Sequence, residues 1–95
     1  MYAYELKPGD RIFIVTNYSF PQFSIYEVIH VQRRPGLFND KNYANVYTIN
    51  IIDSSRTNFL FYDDLDLEKG TNTLPLRTTN EQLALETFKK LVNFK

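Results

Sequence analysis

The side chains best equipped for chemistry fall into three groups: one histidine, a run of carboxylates, and a loop that interleaves cations with rings. His30 lies in an extended stretch between Val28 and Gln32. With a single imidazole and no serine or cysteine motif around it, neither a catalytic triad nor a histidine-rich metal site can be assembled, so it reads as a plain strand residue. Asp63, Asp64, Asp66 and Glu68 are the densest carboxylates. Alternation from Asp64 to Glu68 would gather three of them on one side, as a hard cation requires, with Leu65 and Leu67 on the other. The spacing departs from a calcium loop, because Lys69 stands where glycine is needed and Pro75 where the closing glutamate is needed. We expect a solvated acidic loop pinned by its two leucines, with no metal and no cofactor. The third group is Arg33 and Arg34 ahead of Pro35-Gly36, followed by Phe38, Lys41 and Tyr43. Rings there can stack on bases while the cations meet phosphates, and Arg11 and Arg56 can extend the patch. Two observations oppose that reading. Lys plus Arg number 11, equal to Asp plus Glu, and Asp40 sits inside the loop, whereas nucleic-acid domains usually carry a basic excess.

The elements that must position these groups are bounded by composition. A chain of 95 residues is one domain (1–95), just long enough to close a single core without disulfides, and it has no cysteine to make them. The aromatic share, 16% with no tryptophan, is high and speaks against disorder. The opening Met-Tyr-Ala-Tyr-Glu-Leu-Lys lacks the basic and apolar regions of a leader, and no uncharged apolar run is long enough to span a bilayer. The expected location is therefore the cytoplasm, with no membrane partner. Abundant Phe, Tyr, Ile, Asn and Lys is the bias that AT-rich coding produces, as in many phages.

Five extended segments and one helix follow from the pattern. Lys7-Pro8-Gly9-Asp10 is a turn in which proline fixes φ and glycine supplies a positive φ, and it launches a β-branched run at 11–16. A longer strand at 23–32 is partly apolar on both faces, with Ile25, Ile29 and Val31 on one and Tyr26 and Val28 on the other. The loop at 33–44 is long by ordinary connection lengths. Strands at 45–52 and 57–62 meet through Asp53-Ser54-Ser55-Arg56, a hairpin signal, and a short edge strand at 73–77 has Leu74 and Leu76 turned inward with Pro75 outward. Thr78 or Thr79 can cap a helix at about 79–93, with Glu81 or Gln82 closing a capping box. Its buried stripe is expected to be Ala84, Leu85, Phe88, Leu91 and Val92, with Leu83 and Phe94 off it.

This order, a Pro-Gly-Asp turn into strand one, a long strand two, an extended loop, a tight hairpin and a short fifth strand, resembles an SH3-like small barrel over roughly 6–77. The resemblance implies a mainly β, strongly bent antiparallel barrel of about five strands with an added C-terminal helix, the alternative being an α+β sheet packed on one helix. It also implies an interaction module with no set ligand. The chain departs from the peptide-binding members in the short loop after strand one, where an aromatic groove would belong.

The functional expectation is a non-enzymatic domain that binds another protein or a second copy of itself, because the rings outnumber what one small core needs. Tyr18, Phe20, Phe38, Tyr43 and Tyr62 fall at loop edges, and such rings favour contact surfaces. The site expected from sequence is Phe20, Arg33, Arg34, Phe38, Lys41 and Tyr43. RNA or single-stranded DNA across 33–43 is the alternative.

Overall fold

The computed structural model describes residues 1–36 and 41–93. The chain makes a 3-10 turn (Ala3–Glu5), strands β1 (Arg11–Asn17), β2 (Pro21–Arg34), β3 (Tyr43–Asn50), β4 (Arg56–Tyr62) and β5 (Leu76–Thr78), and helix α1 (Glu81–Asn93). All pairings are antiparallel, in the sheet order β4-β3-β2-β1-β5. The entry turn forms as its residues dictate. Gly9 adopts φ +98°, Asp10 N–H closes on the Lys7 carbonyl at 3.0 Å, and the Lys7 N–H donates to Asp10 Oδ2 at 2.9 Å.

The sheet curls into a half-barrel. Its interior is filled by Ile12, Ile14, Val28, Ala44, Val46 and Phe61, capped by Ala3 and Leu6 near the 3-10 turn and by Leu67 from the acidic segment. Two side chains from opposite edges reach toward each other across this interior, the Arg77 guanidinium of β5 lying 5.8 Å from the Phe59 ring centre of β4. On the outer face, Phe13, Val15 and Leu76 form a second core with Phe23 and Ile25, closed by Ala84, Leu83, Phe88 and Leu91 of α1. The helix packs on β1, β2 and β5. Gly70 is a tight point against β5: φ is +76°, and a Cβ there would stand 2.8 Å from Leu76 Cδ1.

Several boundaries depart from the sequence expectations. β2 does not alternate strictly, because its register with β3 slips between Val28 and His30. The bulge adds Ile29 as an extra residue, so Val31 joins Tyr26 and Val28 against the interior while Ile25 serves the outer core. β3 ends at Asn50, two residues early. The Asn50 side chain accepts the N–H groups of Ile52 (2.8 Å) and Asp53 (3.3 Å), turning the chain before the isoleucines can extend the strand and leaving Ile52 81% exposed. β5 starts only at Leu76, after Pro75, and Leu74 is exposed instead of inward. The helix cap is Asn80, not a threonine: its Oδ1 accepts the Leu83 N–H at 3.2 Å, while Thr78 Oγ1 is turned to the Leu67 carbonyl at 2.6 Å. The buried stripe is rotated accordingly. Leu83 packs inward, and Leu85 and Val92 are exposed. Phe94 lies outside the described residues.

Candidate binding face of β2, β3 and β4

The bulge at Ile29 has a consequence for the outer surface. After it, His30, Gln32 and Arg34 point away from the interior, in register with Tyr47, Asn45 and Tyr43 of β3, which pair in turn with Asn58, Leu60 and Tyr62 of β4. Three rows of side chains thus cross three strands: Arg34-Tyr43-Tyr62, Gln32-Asn45-Leu60 and His30-Tyr47-Asn58. The helix covers the other half of this outer face, and these rows stay open to solvent, with Leu60 65% and Tyr62 58% exposed.

Contacts within the face hold several side chains in place. The His30 and Tyr47 rings stack with centres 5.6 Å apart, the Asn45 Nδ2 donates to Tyr47 Oη at 3.1 Å, and Arg34 Nη2 donates to Gln32 Oε1 at 3.0 Å. Asn45 Oδ1 is buried with no donor. One shallow depression is lined by Tyr43, Leu60, Phe61 and Tyr62, and a second by Ile29, His30, Tyr47, Thr48, Arg56 and Asn58. The surface offers flat rings, amides and a few cations, which suits contact more than bond breaking.

The structure separates the residues that the sequence grouped. Arg33 and Arg34 point to opposite faces, as neighbours in a strand must. Arg33 turns to the inner side, donating to Asp63 Oδ2 from Nε (3.0 Å) and Nη2 (2.7 Å), with its guanidinium 4.5 Å from the Tyr4 ring centre. It ties the 3-10 turn to the end of β4. Lys41 is also paired, 2.7 Å from Asp64 Oδ2 and 6.0 Å from the Tyr62 ring centre. That pairing holds the Asp64 carboxyl below its ordinary value of 3.8 and the Lys41 ammonium above 10.5. Arg34 and Tyr43 belong to the open face. Phe20 is 61% exposed at the β1–β2 turn, the opposite end of β2 from the arginines, roughly 40 Å of extended strand away. Phe38 lies outside the described residues.

The carboxylates are spread along their segment and do not converge. Asp63 holds Arg33, Asp64 holds Lys41, and Asp66 Oδ1 accepts the Met1 amino group and the Glu68 N–H at 2.8 and 3.0 Å. Leu67 is fully buried, and Leu65 packs beside it. Among the described residues no group of three His, Asp or Glu side chains is placed to hold a metal ion. No described helix is long and apolar enough to cross a membrane.

Sequence reasoning passed over Tyr47, Asn45, Asn58 and Leu60 as site residues. The signal was present in β4, where Arg56, Asn58, Leu60 and Tyr62 alternate with Thr57, Phe59 and Phe61, placing large apolar side chains on both faces of an edge strand. Compared with known proteins, the chain matches no family model, no curated protein and no solved structure at significance.

Proposed function

We propose that this chain is a non-enzymatic binding module that engages another protein through the open face of β2, β3 and β4. The observation that carries the reading is the uncovered three-row surface, where Leu60 and Tyr62 are more than half exposed beside Tyr43 and Tyr47. A patch of rings rimmed by amides and arginine has the composition of a protein-contact core with a polar rim. The four-strand meander with β5 returned to β1 also supports kinship with SH3-like barrels, whose members are largely interaction modules.

A second reading, single-stranded nucleic acid on the same face, is favoured by the His30–Tyr47 stack beside Arg56. It is weakened by the pairing of Arg33 and Lys41 with carboxylates, which removes two of the cations that phosphate binding would need.

The test is photo-crosslinking from a benzophenone side chain placed at Tyr43 or Tyr47, with Leu85 on the solvent side of α1 as control. The expected result is a discrete, nuclease-resistant protein adduct from the two face positions alone. Adducts from Leu85 alone would overturn the reading. Adducts lost to nuclease and weakened steeply by salt would transfer the face to nucleic acid.

A further inference from the structure

We infer that the free edge of β4 pairs antiparallel with β4 of a second copy of this chain, about a two-fold axis through Leu60. Leu60 and Tyr62 belong also to the face proposed above, but what carries the pairing is the backbone edge of β4 and the charges at its ends.

The phase of the β3–β4 ladder shows which backbone groups are available. Asp63 N–H donates to the Asn42 carbonyl at 2.9 Å and Asn50 N–H to the Ser55 carbonyl at 2.8 Å. In an antiparallel ladder of that phase, Thr57, Phe59 and Phe61 bond toward β3, and Asn58 and Leu60 direct their N–H and carbonyl groups to the open side. The stretch closes at Tyr62, whose carbonyl takes the Leu65 N–H at 3.2 Å.

The molecule guards one edge of its sheet and not the other. β5 is three residues long and follows Pro75, a usual way of blunting an edge. β4 has seven residues in unbroken register with β3, without proline, lysine or bulge, with Phe59 and Phe61 on its inner side and Leu60 and Tyr62 on its outer one. Such an edge is a template for strand addition.

Its sequence is complementary to itself. With the axis at Leu60, Leu60 meets its own copy, Asn58 meets Tyr62 of the second copy, and Arg56 lies beside the turn that follows the second copy's β4, where Asp63 and Asp64 stand. Arg56 is exposed and has no carboxylate within salt-bridge reach among the described residues, and Asp64 keeps 60% of its side chain exposed despite holding Lys41. An axis at Phe59 would set Arg56 against Tyr62 and leave Asp64 unmatched. Opposite charges brought together at the strand end favour the first register. A two-fold axis makes the contact closed, so it yields a dimer with a continuous ten-stranded sheet from two sheets of five. One edge strand buries an area at the low end for specific interfaces, so the expected Kd is on the order of tens of micromolar.

Sedimentation of the full chain across concentrations from about 5 to about 500 µM tests the inference. The average mass should rise about one and a half times over that range, approaching that of a dimer at the top. Arg56→Glu should raise the dimer Kd at least about tenfold, and Arg56→Glu with Asp64→Arg should restore it. Leu60→Pro removes an outward N–H while sparing the β3 ladder, and it should leave a folded monomer, checked by circular dichroism. A monomer at all concentrations, or a dimer indifferent to both Arg56→Glu and Leu60→Pro, would overturn the inference. The two readings fail separately: a monomer that still crosslinks from Tyr43 and Tyr47 loses only the β4 pairing, and a dimer without such crosslinks loses only the binding face.

Discussion

Arg33 and Arg34 show how one residue step divides structure from contact. Arg33 is bound to Asp63 and stacked near Tyr4, so Arg33→Ala should lower stability by about 1–2 kcal/mol in denaturant melts while leaving the open face intact. Arg34→Ala should change stability by less than about 0.5 kcal/mol and act only on binding. Asn45 is the converse case, a poor strand former with an orphaned oxygen in the middle of the face. Asn45→Val should stabilise the fold by about 1 kcal/mol and weaken binding, the pattern expected where a side chain is kept for contact. The Lys41–Asp64 pair sets a pH signature. A carboxyl held below its ordinary value stabilises the fold above about pH 4 and ceases to do so as pH falls through its lowered value. An ammonium held above 10.5 stabilises below that value and ceases to as pH rises through its raised one. The difference in melting temperature between the native chain and Lys41→Ala should therefore be constant from about pH 5 to 9 and shrink below about pH 4.

At the scale of elements, α1 is held by its cap and by one rotated stripe. Asn80→Ala should cost about 1 kcal/mol, and Leu83→Ala about 1–2 kcal/mol, with Leu85→Ala nearly neutral, all readable from urea midpoints. The existence, order and type of every strand were legible, because β-branched runs and a Pro-Gly turn depend on local residue preferences. Three features were not. The bulge at Ile29 arises from pairing with β3, and it moved Val31 to the interior and His30 to the outer face. The early end of β3 depends on the Asn50 side chain outcompeting the strand preference of Ile51 and Ile52. The helix stripe depends on which side of α1 meets Phe23 and Phe13, and a periodicity that admits either flank cannot choose between Leu83 and Leu85. The face of the candidate site shares this origin, since its rows exist only once the bulge has set the register.

At the scale of the whole molecule, the half-barrel covers its inner face with the N-terminal turn and acidic segment, and half of its outer face with α1. The other half is left as an open surface of rings and amides beside an unguarded strand edge. On the function proposed above, this open half is where the chain meets a protein partner. The most direct measurement is the affinity, by calorimetric titration, for the partner captured from Tyr43 or Tyr47, comparing Tyr43→Ala with Tyr47→Ala in one chain against Leu85→Ala in another. The expected result is a loss of about thirtyfold or more for the first, roughly 2 kcal/mol, and a change within about twofold for the second. Equal affinity of the two variants, with both folded, would contradict it.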